Sequence, residues 1–120
     1  MGLHVSGEDY LEAVLILQKE KGMVRSVDLA LQMGYSKPSI SHAVGILKES
    51  GFLFKDKDGF LHLTDTGQKV AEKIYERHQF FTKLLINAGV DEVIAEQDAC
   101  RIEHVISEES FQKIKEKLGL

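Results

Sequence analysis

Three side chains toward the C-terminal end could share one ion. Cys100, Glu103 and His104 stand at i, i+3 and i+4, a spacing that puts them on one face of a helix. A thiolate, a carboxylate and an imidazole converging on one strip suit a first-row transition ion. At about 100° per residue the apolar set Ala95, Ala99, Ile102 and Ile106 falls roughly 120° away, so the three are expected to lie off the core. Taken alone, they also describe a solvated acidic face with a stray cysteine. Asp9 and Glu12 repeat the i, i+3 spacing near the N-terminus, where Asp9 has a competing capping role. His78 falls on the side of its helix that carries Ala71, Ile74, Tyr75, Phe81 and Leu85, where a lone histidine is more often a hydrogen-bonded core residue.

The elements that must position these residues are legible from period and punctuation. Ser6, with Asp9 three residues on, reads as the cap of a first helix over Gly7–Lys21, ended by Gly22. Ser26 reads as the cap of a second helix ending at Gly34. After Tyr35 and Ser36, Pro38 sits in the first turn of a third, where its missing N–H is harmless. Ile40, Ala43, Val44, Ile46 and Leu47 form that helix's expected buried stripe, and Gly51 stops it. Phe52–Phe54 and Phe60–Leu63 then change to strand-like runs around Asp58-Gly59, a hairpin turn signal. Short helix, tight turn, helix and hairpin spell a winged helix-turn-helix. Thr64 or Asp65 starts a long fourth helix that Gly89 breaks, Asp91 starts a fifth ending near Ser107, and Phe111–Leu118 gives a short sixth.

Composition sets bounds on function. The chain has 120 residues, 43% of them hydrophobic, and a net charge of −4. An acidic balance argues against nucleic acid until its distribution is considered. Between Gly22 and Lys55, Arg25, Lys37, Lys48 and Lys55 outnumber Asp28 and Glu49, whereas Leu85–Ser110 holds seven acids against Arg101. A single cysteine cannot form an internal disulfide, Met1–Tyr10 lacks a secretory apolar stretch, and no run is long enough to span a membrane. The chain reads as soluble and cytoplasmic. No His-Glu-x-x-His, glycine-rich phosphate loop or Ser/His/Asp set is found, which argues against an enzyme.

In a helix-turn-helix the second helix enters the major groove. Its outward residues here are Ser36, Lys37, Ser39, Ser41, His42 and Lys48. We assign Lys37 and His42 to base edges, and Ser36, Ser39, Arg25 and Lys57 at the wing tip to phosphate, with Ser26 and Pro38 in the same contact set.

Together these residues extend further. Asp9-Tyr10-Leu11-Glu12, Glu76-Arg77-His78 and the run Asp98–Ser107, with its Ala-Cys-Arg-x-Glu-His-Val-x-Ser segment, closely resemble the DtxR/MntR family of metal-dependent repressors. The resemblance covers essentially the whole chain. It implies a mainly α fold with a small β-hairpin: a winged helix-turn-helix DNA-binding domain over residues 1–64, then a helical metal-binding and dimerisation domain over residues 65–120. It also implies Mn(II) or Fe(II) as co-repressor and a double-stranded DNA operator of metal-homeostasis genes as partner. By position, Asp9, Glu12, His78, Cys100, Glu103 and His104 fall on metal-binding positions of one branch or another. Manganese-responsive members carry Asp and Glu on the first helix, whereas iron-responsive members pair a methionine there with the cysteine on the fifth. This chain combines Asp9 with Cys100, and Thr82 and Glu96 replace an acid and a histidine of the iron branch's secondary site. Three carboxylates against one sulfur favour Mn(II). The chain stops at Leu120, so the SH3-like domain of longer members is expected to be absent.

The implied mechanism is electrostatic. Without metal, the carboxylates of Asp9, Glu12 and Glu103 repel one another; a divalent cation cancels the repulsion and fixes two recognition helices near one turn of DNA, about 34 Å apart. Phe80, Phe81, Leu84, Leu85 and Ile106 exceed what so short an extension can bury alone, which predicts a homodimer even without metal. The alternatives are a winged-helix regulator using Cys100 as a redox switch and a winged-helix protein-interaction module.

Overall fold

The computed structural model describes residues 5–119. Met1–His4, part of the stretch read against a secretory signal, and Leu120 lie outside the described residues. The order is α1 (Val5–Lys21), α2 (Ser26–Met33), α3 (Lys37–Glu49), β1 (Leu53–Lys55), β2 (Leu61–Leu63), α4 (Asp65–Asn87), α5 (Glu92–Val105) and α6 (Glu108–Leu118). The chain divides into two compact units, Met1–Glu72 and Lys73–Leu120, with the division falling inside α4. No helix among the described residues is long and apolar enough to cross a membrane.

In the first unit α2 packs on α1 and α3, α1 on β2, and α3 on β1. Leu11, Val14, Leu29, Ile40, Leu47, Leu53 and Leu61 are buried there. Two caps differ from the sequence expectation. α1 already includes Val5, so Ser6 lies within its first turn instead of capping it. Arg25, not Ser26, is the N-cap of α2, because an antiparallel bridge between Val24 and Leu61 holds the chain extended up to that point. The Arg25 N–H donates to the Asp28 carboxylate at 2.8 Å and Lys21 Nζ donates to it at 2.9 Å. These bonds, the backbone one first, hold the Asp28 carboxyl below the usual carboxylate range.

α3 is entered as expected. Ser36 is its N-cap and accepts from the Ser39 N–H at 3.3 Å, with Pro38 in the first turn. Gly34, at φ 70°, closes α2 in the left-handed region that only glycine enters without strain. One stripe residue is corrected: Ile46 is 50% exposed, while Ile40, Val44 and Leu47 are buried. Ile46 stands roughly 160° of helix away from Val44 and about 100° from Leu47, beyond the reach of the core.

The hairpin pairs Leu53 with Leu63, Phe54 with His62 and Lys55 with Leu61. β1 begins one residue later than the sequence suggests, because the Phe52 N–H donates to the Leu47 carbonyl at 2.9 Å in closing α3. Asp56 organises the turn: its carboxylate accepts from the Asp58 and Phe60 amides at 2.9 and 3.0 Å and meets His62 Nε2 at 2.8 Å. The His62 contact first, then the Phe60 amide, hold the Asp56 carboxyl below its usual range. A carboxyl lowered in the folded state stabilises it fully above the unfolded value of about 3.9 and loses that contribution as pH falls through the folded value. Urea unfolding should therefore show an Asp56→Ala deficit that shrinks as pH falls below about 4. A deficit unchanged from pH 6 to pH 2 would contradict this assignment.

In the second unit α4, α5 and α6 enclose a cluster of Phe80, Phe81, Ala99 and Phe111, against which Leu84, Ile102, Ile106 and Ile114 pack. Phe80 meets Phe81 and Phe111 edge-on at 5.2 and 5.5 Å between ring centres, a geometry that suits the ring quadrupoles. This corrects the premise of apolar excess: Phe80 and Phe81 are 6% and 4% exposed, satisfied by α6 of their own chain. Among the described residues, the large apolar side chains left exposed in this unit are Ile86, Val93, Ile94, Val105 and Leu118.

Candidate metal centre and nucleic-acid interface

α5 is capped by Asp91, whose carboxylate accepts from the Val93 and Ile94 amides. Its helical spacing brings a ligand atom each of Cys100, Glu103 and His104 within 4.8 Å of one another. His78 on α4 joins them through Glu103, with Nδ1 3.0 Å from Oε2. The expectation that these residues lie off the core is corrected for Glu103, which is fully buried. Its position on α5 turns the side chain toward His78 of α4, while Cys100, one turn earlier, is exposed. Thr82, where the iron branch has an acid, donates its hydroxyl to the His78 carbonyl at 2.7 Å. A cleft beside the site is lined by His78, Val93, Glu96, Gln97 and Cys100.

These donors fit a divalent cation. Glu103 Oε1 is buried and accepts no hydrogen bond; His104 Nε2 faces it at 3.4 Å. A buried carboxylate oxygen left in that condition is costly unless a cation meets it. Two imidazoles, one carboxylate and one thiol supply a mixed nitrogen, oxygen and sulfur set. Asp9 and Glu12 lie on α1 of the first unit, Asp9 half-buried and Glu12 buried.

Arg77 is a residue the sequence reading quoted without assigning a role. It is 3% exposed. From α4 it donates to the carbonyls of Glu103 and Ile106 at 3.2 and 2.7 Å and to the Glu108 carboxylate at 2.9 Å. It thus fastens the C-terminal turn of α5, and with it Glu103 and His104, to α4. The same guanidinium holds the Glu108 carboxyl below its usual range. The available signal was a strong cation one residue before His78, on the helix side that carries Ile74, Phe80 and Phe81.

The DNA candidates stay within the first unit. Ser36, Lys37, Pro38, Ser39, Ser41, His42 and Lys48 are exposed along α3, as is Lys57 in the hairpin turn, and Ser26 is half-buried. Arg25 is exposed and lies over the Phe60 ring at 4.1 Å, which sets its guanidinium beside the hairpin.

Comparison with known proteins places both units. Residues 3–61 match the N-terminal DNA binding domain of the iron dependent repressor, and residues 64–120 match its metal binding and dimerisation domain. The transcriptional regulator MntR of Escherichia coli O157:H7 is 33% identical over 108 residues, 90% of this chain and 70% of the relative. MntR of Salmonella typhimurium is 35% identical over 104 residues, 87% of this chain and 66% of the relative. Among solved structures, the manganese regulator SloR aligns with a TM-score of 0.83 at 25% identity, covering 94% of this chain and 53% of that one. T. acidophilum IdeR aligns at 0.77 and 26% identity, covering 94% and 54%. The chain therefore spans about half the length of these two solved relatives. With both of its units matched and a relative one-third identical along nine-tenths of its length, the chain belongs to the DtxR/MntR, or iron dependent repressor, family of metal-dependent transcriptional regulators.

Proposed function

We propose that the protein is a homodimeric, cytoplasmic repressor without enzymatic activity, whose binding to an operator of metal-homeostasis genes is switched on by a divalent metal, Mn(II) in preference to Fe(II). Residues 1–64 form the DNA-binding domain, and residues 65–120 form the dimer contact and carry most of the metal ligands. The observation that carries the reading is the buried Glu103 carboxylate with His78 and His104 beside it and one oxygen without a hydrogen bond. The metal ligands are His78, Cys100, Glu103 and His104, joined by Asp9 and Glu12 on the strength of the sequence resemblance. Arg25, Ser26, Ser36, Lys37, Pro38, Ser39, Ser41, His42, Lys48 and Lys57 contact DNA. The bound cation supplies positive charge that offsets repulsion among the carboxylates. Arg77 holds the end of α5 in register with α4, so Glu103 and His104 are presented together. Metal and DNA affinity then rise reciprocally.

The relatives named as manganese regulators support Mn(II), and the oxygen-rich donor set agrees with them. DNA binding titrated with Mn(II), Fe(II), Zn(II) and Co(II), with bound metal counted, tests the reading. Cys100→Glu should keep or sharpen activation by Mn(II), and Asp9→Met should move it toward Fe(II). If Cys100→Glu and Cys100→Ser both abolish activation by every metal while Asp9→Ala changes nothing, the site is built on the sulfur and Mn(II) is the wrong assignment. A response to oxidant with none to metal would favour the redox switch.

A further inference from the structure

α3 contains a residue that neither the helix nor the core calls for. Gly45 is exposed in the middle of Lys37–Glu49. Glycine inside a helix is unfavourable relative to alanine, since it loses more backbone freedom on folding. At three other glycines of the first unit the reason is visible. Gly34 and Gly51, which bracket α3, stand at φ 70° and 85°, and Gly67 packs beneath the Phe52 backbone. Gly45 has no positive φ, and among the described residues nothing lies within 4 Å of where its Cβ would be. Nothing among the described residues requires a glycine at this position.

Its position suggests what does. At about 100° per residue, Pro38, Ser41, His42 and Gly45 share the outward side of α3, opposite buried Ile40, Val44 and Leu47. A glycine on a docking face lets a partner approach the backbone more closely than any Cβ permits. We infer that Gly45 is the point of closest approach between α3 and DNA, and that it sets how deep the helix sits in the major groove and thereby which base edges His42 and Ser41 can reach. The inference rests on the DNA-binding reading above and adds a specificity-determining position to it.

The test uses Gly45→Ala and Gly45→Leu in the full chain with Mn(II). The probes are a duplex enriched from a random pool by the wild-type protein and a scrambled duplex of equal length. Gly45→Ala should unfold about 2–4 °C higher than wild type, since it removes the helix penalty. Its affinity for the enriched duplex should nonetheless fall roughly tenfold, and that of Gly45→Leu more than about 100-fold, the range of one or two lost base contacts. Affinity for the scrambled duplex, held through phosphates, should change less than about threefold. Greater stability with unchanged affinity for the enriched duplex would overturn the inference, as would equal losses on both duplexes. A wild-type protein that enriches no sequence and binds no duplex would sink the DNA-binding reading itself, and this inference with it.

Discussion

Glu103→Ala should lower metal affinity more than about 100-fold and abolish metal-activated DNA binding, because changes to groups that merely support a ligand already cost tenfold to 100-fold. The effect is expected to exceed that of any other single ligand. Glu103 is fully buried and central to the donor set: one oxygen lies 3.0 Å from His78 Nδ1 and the other 3.4 Å from His104 Nε2. Alanine would also leave a cavity, so Glu103→Gln provides the cleaner comparison. Glutamine keeps the volume and removes the charge that a cation needs. Calorimetric metal titration should find both variants inactive, while circular dichroism finds Glu103→Gln folded. A folded Glu103→Gln protein that binds Mn(II) and DNA like the wild type would remove Glu103 from the site.

The largest effect on folding is expected at Gly67. A Cβ there would collide with the Phe52 carbonyl oxygen, lie 3.0 Å from that carbonyl's carbon and touch Leu63 Cδ2 at 3.4 Å. The carbonyl cannot step aside freely, since it accepts from the Thr64 N–H at 3.1 Å. Thr64 is itself fixed, its hydroxyl donating to the Gly51 carbonyl at 2.6 Å and accepting from the Gly67 N–H at 3.1 Å. These bonds tie the end of α3, the base of the hairpin and the first turn of α4 into one joint, so overpacking it forces backbone to move. Gly67→Ala should cost about 2–4 kcal/mol and lower the midpoint of thermal unfolding by roughly 8–15 °C. An alanine variant melting within a degree or two of wild type would mean that the joint yields without strain.

Both predictions depend on placements that spacing alone does not give. The order of the elements and the turn glycines follow from local rules: Ser36 and Pro38 start α3, Gly34 closes α2, and Asp91 caps α5. The i, i+3, i+4 spacing of Cys100, Glu103 and His104 likewise fixes that they share a strip of helix. It does not fix how far that strip is turned inward. Judged by the stripe Ala95, Ala99, Ile102 and Ile106, Glu103 belongs off the core, yet it is buried while Ile102 is only half-buried. Arg77 on α4, 26 residues away in sequence, bonds the Glu103 carbonyl.

Phe80 and Phe81 show the same division from the apolar side. Their number suggested a surface seeking a partner, but Phe111 of α6 covers them within the chain. Ile46, expected in the buried stripe of α3, is half-exposed because the core touches only one side of that helix. By itself the sequence determined which segments are helical, where each helix stops to within a few residues and which donors share a face, since these depend on propensity, caps and a fixed angular period. Only the tertiary structure decided which of those faces is closed off from water, because burial is set by elements far away in the chain, and no local spacing records where they will pack.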